Sequence, residues 1–365
     1  MNESQPQRRW FYPTPAWLVL GSLAVTGLLF TSEKWRWFWF NEHKGWTVLA
    51  AVAGVGVVLG VMLLWWLVAL VFRWRFQFGI RTLLVLVVAV ALPCSWLTAV
   101  MKKAKEQKKV AEGIEREERG VGAVPFVGDQ GSVVYDWQRD ANGVFLPNAQ
   151  PNGLPSLRRL FGEDFFNDII EASLRFEASD AQMEELKDLH CLKLLSLANS
   201  NVTDVGLAEL PELSELKTLY LNGTSIQDAG LARIAGMSRL QNLFLDYDEV
   251  TDAGLRRLVG LVELRVLSLN RTKVTDKGLA SLAGLPRLQA LSLNNCQVTN
   301  SGLPSLAALT ELESLSLRNI PITDAGIPCL AKLPKLQWLS IEGTKVTVTG
   351  LEKLRQTLPN CRIEY

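Results

Sequence analysis

Residues 267–290 read LSLNRTKVTDKGLASLAGLPRLQA, and this pattern recurs every 24 residues through the C-terminal half of the chain. One position of the pattern is glycine in seven successive copies: Gly206, Gly230, Gly254, Gly278, Gly302, Gly326 and Gly350. Another position is always valine or isoleucine: Val202, Ile226, Val250, Val274, Val298, Ile322 and Val346. Seven copies in one register indicate a chain of stacked repeats.

The spacing inside one unit predicts its local structure. Leu267 and Leu269 are two residues apart, so both side chains point to the same face of a short strand. Leucines such as Leu279 and Leu282 follow the glycine at three-residue steps, which is typical of one side of a helical turn. Threonine or aspartate just before the glycine can cap that helix. Stacked units then predict an α/β solenoid with parallel strands inside and helices outside.

This unit, LxxLxLxxTxVTDxGLxxLxxL, resembles the leucine-rich-repeat family, and within it the cysteine-containing subtype with its ITDxGL segment. The resemblance covers about residues 176–365 and implies a horseshoe of the kind just described. The chain departs from the subtype three residues after each L-x-L pair, where only one of seven positions is cysteine: Ser200, Thr224, Asp248, Thr272, Cys296, Ile320 and Thr344. A worn first repeat is predicted to place Glu171 and Ser173 at its strand positions.

The N-terminal third differs in charge and composition from the repeats. Residues 1–125 carry a net charge of +7 and residues 155–365 a net charge of −4, while ten of the twelve tryptophans lie in residues 1–100. Uncharged stretches predict an all-α transmembrane region of three helices, spanning about 16–32, 46–72 and 82–101. A signal peptide is the alternative for the first stretch, although no small-residue cleavage site is evident.

Three spans would make the chain a multi-pass integral membrane protein. Eight basic residues fall on the side of the repeats and five on the other, so the positive-inside rule favours cytoplasmic repeats, although the short arginine-dense loop between the second and third spans opposes this orientation. Repeats behind several spans, with RFQFGIRTLL before the last span and GSVVYDW after it, also resemble bacterial membrane-anchored leucine-rich-repeat proteins.

The predicted organisation has four parts. Residues 1–101 form the transmembrane region, 102–130 a charged juxtamembrane connector, 131–175 the N-terminal cap of the solenoid and 176–365 the leucine-rich-repeat domain. The connector reads either as a solvated helix continuing from the third span, with its lysines near lipid phosphates, or as a plain charged stalk.

The candidate partner-binding residues lie between or just after the buried leucines. Most residues at these positions are small and neutral, but two groups stand out. One is an aromatic and acidic patch of Tyr220, Phe244, Asp246 and Tyr247, and the other is the pair Arg318 and Trp338. Aromatic residues and arginine dominate the energetics of protein interfaces. The alternative is that these aromatic side chains pack against each other or against the cap.

Other chemistry has little support in the sequence. Asp246, Asp248, Glu249 and Asp252 are spaced closely enough for a calcium site, but a solvated acidic turn is favoured. No catalytic, cofactor-binding or metal-binding residue is predicted, because the chain has only two histidines and lacks a nucleophile elbow, a P-loop and metal-ligand spacing. Nucleic acid is not an expected partner, since the strand face offers only Arg318 as a basic group. A small-molecule substrate is not expected either.

The expected function is therefore that of a membrane-anchored protein, not an enzyme, that binds a protein partner through its repeat surface. A substrate-recognition arm of a ubiquitin-ligase-like complex is one alternative, since some such arms carry this repeat subtype. A membrane sensor or transport component is the other, and it would require polar residues inside the spans.

Overall fold

The computed structural model describes residues 24–29, 46–71, 80–118, 133–139, 167–174, 178–187 and 189–365, and the single residues 151, 158 and 165. The first predicted span, about 16–32, therefore lies mostly outside the described residues. The chain forms two compact units, one of Met1–Glu106 with Gln150–Asn167 and the other of Gln107–Ala149 with Asp168–Tyr365.

The first unit is mostly helical where it is described. Helix α1 spans Trp46–Val71, and α2 spans Ile80–Glu118. Val48, Ala104 and Phe165 are buried together, with Trp96 packed against them. Among the described residues, one helical segment, Val87–Glu112, has the length and composition needed to cross a membrane, and Thr47–Gly60 is a shorter apolar segment. The arrangement of three spans therefore stays a prediction.

The connector is helical as far as Glu118, since α2 runs through it without a break. Its end, from Gln107 onward, belongs to the second unit, where Val110 and Ala111 are buried in the core of the solenoid. The Lys109 ammonium lies 3.2 Å from the Glu185 carboxylate. This part of the helix is therefore packed on one side instead of fully solvated.

The second unit contains a ten-stranded sheet whose strands follow one another in chain order. Strand β1 pairs antiparallel with β2, and every later pairing is parallel. The strands are β1 Val133–Tyr135, β2 Ile169–Ser173, β3 Leu194–Ser196, β4 Thr218–Tyr220, β5 Asn242–Phe244, β6 Val266–Ser268, β7 Ala290–Ser292, β8 Ser314–Ser316, β9 Trp338–Ser340 and β10 Arg362–Glu364. The predicted parallel-stranded leucine-rich solenoid is confirmed.

The outer face consists of short α-helices and 3-10 segments. The helices are α3 Asp180–Leu186, α4 Asp228–Ile234, α5 Asp252–Leu255, α6 Asp276–Leu279, α7 Ile327–Leu330 and α8 Val348–Thr357. The main 3-10 segments are Gly206–Glu212, Leu258–Gly260, Ala280–Gly284, Leu303–Ala308 and Asp324–Gly326. The three-residue leucine spacing explains this mixture, because side chains three apart in sequence are aligned in a 3-10 helix.

The core is a continuous stack of aliphatic side chains. Leu267, Leu269, Leu279 and Leu282 of the repeat quoted above are each no more than 1% exposed, and the equivalent leucines of the other units are buried with them. Burying one such side chain contributes about 1.5–3 kcal/mol relative to exposing it. One unit alone would leave both of its sides open to water, so the stack is stable only as an array.

The threonine and the aspartate before the repeated glycine have different roles, although the sequence allows either to cap the helix. The Thr275 hydroxyl caps α6 by accepting the Lys277 amide. The Asp276 carboxylate instead accepts the Thr299 amide at 2.7 Å and the Thr299 hydroxyl at 2.6 Å, which fastens one unit to the next. The repeated glycine lies three residues after the threonine that makes this bond. A Cβ there would be too close to the carboxylate, as at Gly278, which follows Thr275 and lies beside Asp252. The repeated glycine therefore makes room for the bond between units.

The first repeat corrects the predicted register. The β2–β3 pairing places Ala172 opposite Leu195, and Ala172 and Leu174 are the buried side chains. Glu171 and Ser173, predicted at the buried strand positions, are instead half-buried. Ala172 and Leu195 are 23 residues apart, whereas Leu195 and its partner Leu219 are 24 apart, and a shift of one residue along a strand reverses which side chains face the core.

Candidate functional site

The concave face of the sheet carries a groove of about 390 Å³ between strands β5 and β9. Its floor is built from small side chains, which include Ser268, Ala290, Ser292 and Ser314. Its lining also includes Phe244 on β5 and Trp338 on β9, with Arg318 just after β8. Four strand spacings separate β5 from β9, or about 19 Å. Phe244 of the first predicted group and both residues of the second, Arg318 and Trp338, therefore line one groove.

The floor is held by a repeated set of hydrogen bonds between neighbouring units. The Ser292 hydroxyl donates to Asn270 Oδ1 at 2.6 Å, and the Asn294 amide donates to the same oxygen at 2.8 Å. One unit later, the Ser316 hydroxyl and the Arg318 amide both donate to Asn294 Oδ1 at 2.7 Å. The polar groups of the floor are thus largely engaged within the protein, which leaves a surface of low chemical reactivity.

Tyr220 and Phe244 form a stacked aromatic pair on neighbouring strands. Their ring centroids are 4.4 Å apart and the ring planes differ by 8°. Both side chains are half-buried, so the alternative of packing against each other is realised while part of each ring stays accessible. Burial, and secondarily the nearby Glu171 carboxylate, raise the pKa of the Tyr220 hydroxyl above its ordinary value.

Asp246 lies beside this pair. Its Oδ1 accepts the Ser268 hydroxyl at 2.6 Å and the Asn270 amide at 2.7 Å. Ser268 is the residue paired with Phe244 across the β5–β6 ladder, so the carboxylate is placed next to the Phe244 side chain. The structure therefore brings three of the four residues of the predicted aromatic and acidic patch together.

Tyr247, the fourth residue, occupies the turn after β5. Its side chain is 61% exposed, and the Arg271 guanidinium lies 5.1 Å from its ring centroid. Both residues have positive φ, 66° at Tyr247 and 57° at Arg271, at a turn position that in the other units holds asparagine or glycine. A left-handed backbone costs such side chains about 1 kcal/mol or more. Sequence reasoning missed Arg271, although its place in this asparagine/glycine series marks it as unusual.

The other end of the groove is held by ion pairs. Arg318 donates to the Ser340 hydroxyl at 2.7 Å and to the Glu364 carboxylate at 2.8 Å, and it lies 3.3 Å from Glu342. A hydrogen bond from the Trp338 side chain, followed by that from Arg318, holds the pKa of Glu364 below its usual value. The predicted pair of Arg318 and Trp338 is thus joined through Glu364, which the sequence analysis did not include.

Asp248 corrects the prediction of a solvated acidic turn. It is 3% exposed, and its Oδ1 accepts the Thr224 amide at 2.8 Å and the Thr224 hydroxyl at 3.0 Å. Its Oδ2 is buried and meets no donor among the described residues. Burial raises the pKa of this carboxyl to about 8. The correction follows from the register, because three residues after each L-x-L pair the side chain turns inward.

Metal binding finds no geometric support in the described ranges. No group of three or more histidine, cysteine, aspartate or glutamate side chains there is arranged to hold a metal ion. His190 is exposed in the loop between α3 and β3.

Comparison with known proteins agrees with the repeat architecture. Residues 264–283 match the family model described as Leucine Rich repeat, which confirms the resemblance over that unit. Among proteins with curated functions, none matches the chain.

Three solved structures illustrate the similarity. Internalin C2 from Listeria monocytogenes is 29% identical with a TM-score of 0.43, over 52% of this chain and 79% of that one. A second Listeria monocytogenes internalin, internalin F, is 23% identical with a TM-score of 0.42, over 53% and 60%. A leucine-rich-repeat protein from Leptospira interrogans is 20% identical with a TM-score of 0.38, over 54% and 59%. The chain thus spans less than two thirds of the latter two proteins.

Proposed function

We propose that this chain is a membrane-anchored binding protein that docks a protein partner in the concave groove between β5 and β9. The observation that carries the proposal is the groove itself, which is lined by small side chains and bordered by Phe244 at one end and by Trp338 and Arg318 at the other. Tryptophan, tyrosine and arginine are enriched among the residues that carry most of the binding energy of protein interfaces.

Binding without catalysis is part of this proposal. The hydroxyls of Ser292 and Ser316 donate to asparagine oxygens in a pattern that recurs from unit to unit, so their hydrogen bonds serve the scaffold. A nucleophilic serine instead requires a neighbouring base that takes its proton. A partner that covers the groove and its borders would bury about 1,200–2,000 Å² in total.

Anchoring by three spans, at about 16–32, 46–72 and 82–101, is the second part of the proposal. Helix α1 carries no charged residue. Its length of 26 residues exceeds the roughly 20 residues needed to cross the hydrocarbon core. Val57, Leu64 and Val87 are 67%, 63% and 57% exposed. Apolar side chains exposed in this way along helices are favoured against lipid and costly in water. The repeats are proposed to face the cytoplasm, from the excess of basic residues on their side.

A pair of substitutions tests groove binding. Ala290 is half-buried on the groove floor and makes no side-chain hydrogen bond. Ala290→Arg therefore fills the groove without breaking the serine–asparagine hydrogen bonds between neighbouring units, which are called the polar ladder below. Ala308→Arg places the same side chain at an exposed position on the outer face and serves as the matched control. Full-length protein is used to capture partners by crosslinking in cells.

The proposal requires Ala290→Arg to lose a specific crosslinked protein that wild type and Ala308→Arg both retain. Equal capture by all three proteins, or no specific capture by any, would refute it. Labelling of Ala308→Cys in intact cells with a membrane-impermeant reagent tests on which side of the membrane the repeats lie. Labelling before permeabilisation would exclude cytoplasmic repeats, and extraction of the chain by alkaline carbonate would exclude the three spans.

A further inference from the structure

Asp246 occupies a position that asparagine fills in neighbouring units, and its structural role there does not need a charge. Asn270 and Asn294 each accept a serine hydroxyl and a backbone amide through Oδ1. Asp246 accepts the same two kinds of donor, Ser268 and Asn270, through its own Oδ1. An asparagine at 246 would therefore complete the ladder equally well, and the aspartate adds a negative charge that the ladder does not require.

That charge has no cationic partner in the part of the chain that the structure describes. No lysine or arginine nitrogen there lies within ion-pair distance of the Asp246 carboxylate. At the opposite end of the groove, by contrast, Arg318 lies within ion-pair distance of both Glu342 and Glu364. Asp246 thus adds a carboxylate without a cationic partner next to the groove residue Ser268, whereas Glu342 and Glu364 near the other end are both paired with Arg318.

An aromatic face is available beside the carboxylate. Tyr220 covers one face of the Phe244 ring, since the two rings are nearly parallel at 4.4 Å. The opposite face is directed toward β6, where the residue paired with Phe244 is the small Ser268. Phe244 and Ser268 both line the groove, and the Asp246 carboxylate accepts the Ser268 hydroxyl at 2.6 Å, so the carboxylate lies beside the open ring face at the edge of the groove.

A ring face next to a carboxylate suits a planar cation. Aromatic rings attract cations over their faces, and a guanidinium both stacks on a ring and donates in-plane hydrogen bonds to an acid. We infer that Phe244 and Asp246 form a subsite for an arginine side chain of the protein partner. The inference rests on the proposed docking of a protein in this groove and specifies one feature of that partner.

The test uses defined peptides on the full-length protein in detergent micelles. The probes are acetyl-Gly-Arg-Gly-amide, its lysine counterpart and its citrulline counterpart, the last of which keeps the planar shape of arginine but lacks its charge. Binding is followed by ligand-observed NMR titration. The arginine peptide is expected to bind about tenfold more tightly than the citrulline peptide and more tightly than the lysine peptide.

Matched variants assign the effect to the subsite. Asp246→Asn preserves the oxygen that accepts Ser268 and Asn270, and it is expected to weaken binding of the arginine peptide about fivefold without lowering the melting temperature. Phe244→Leu removes the ring and keeps the charge, and it should weaken binding by a similar factor. Glu249→Gln removes an exposed carboxylate three residues away and should leave binding unchanged.

Equal affinity of the arginine and citrulline peptides, stronger binding of the lysine peptide, or an Asp246→Asn variant that binds as wild type would overturn the inference. So would a failure of the arginine peptide to bind. These results would leave the proposed groove function intact if Ala290→Arg still loses its crosslinked partner. Conversely, equal capture by Ala290→Arg and wild type would refute the groove function whatever the peptides do.

Discussion

Replacing Asp248 by threonine should stabilise the repeats at neutral and alkaline pH and remove a pH dependence. The carboxyl is 3% exposed, and one of its oxygens has no donor among the described residues. Thr272, at the same position of the next unit, donates its hydroxyl to the Leu269 carbonyl at 2.7 Å. A threonine at 248 would complete the same local bond, and Thr224, which now donates to Asp248, could bond its own unit in the same way.

The direction and the size of this pH dependence of stability follow from the pKa of Asp248. Folding raises the pKa of Asp248 from 3.8 to about 8, so between these values the folded chain holds a proton that the unfolded chain has lost. Stability must then fall as pH rises from about 4 to about 8. At ~1.4 kcal/mol per pH unit, the loss sums to roughly 6 kcal/mol over that whole range. The neighbouring Asp246 charge adds to the cost of ionising Asp248, while the bonds from Thr224 reduce it.

The free energy of unfolding is measured by pulse proteolysis in urea on full-length protein, at about pH 4.5 and about pH 8. The measured quantity is the difference between wild type and Asp248→Thr, which cancels the titration of other groups. We expect the variant to gain about 2–5 kcal/mol more at the higher pH than at the lower. Glu249→Gln, an exposed carboxylate on the same turn, should show no such difference. A wild type and variant whose stabilities change in parallel with pH would refute the reasoning.

Four further substitutions, at three positions, test the packing of the solenoid by the same urea measurement. Asp276→Ala should lower the free energy of unfolding by about 1–3 kcal/mol because it leaves the Thr299 amide and hydroxyl without their acceptor. Asp276→Asn should cost less than half as much, since Asn300 makes the equivalent bonds one unit later. Equal losses for the two variants would contradict this reasoning. Gly278→Ala should cost about 1–3 kcal/mol because its methyl group would overlap the preceding unit's aspartate, and a neutral effect would show that the contact can relax. Leu291→Ala should cost about 2–5 kcal/mol as a large-to-small change in the core, and a loss below about 1 kcal/mol would mean that the stack closes around the cavity.

The strand and core positions were predictable because they depend on local spacing alone. An aliphatic residue at every second position of a strand must face one side, and Leu267 and Leu269 are buried as that rule requires. The one register error, at Glu171 and Ser173, arose in the first repeat, which is one residue shorter than the later ones. Spacing cannot show where in a worn repeat the missing residue lies, whereas the pairing of Ala172 with Leu195 does.

The candidate site was predictable only in part. Tyr220, Phe244 and Asp246 could be assigned to the concave face from alternation, but their stacking and the shared bond to Ser268 depend on which strands are neighbours. Arg271 lies 24 residues after Tyr247, and only the parallel pairing of units places the two side chains in contact. Glu364 reaches Arg318 across 46 residues for the same reason.

The amino-acid pattern by itself determined that this chain builds a leucine-cored stack of parallel strands, because hydrophobic burial at a constant period leaves no other face for the leucines. Tertiary structure alone decided the chemistry of individual polar groups. Whether Asp276 caps a helix or joins two units, and whether Asp248 is solvated or buried, depends on the atoms of the adjacent unit. Those atoms lie more than twenty residues away in sequence and within 3 Å in space, and electrostatic and hydrogen-bonding energies depend on the spatial distance.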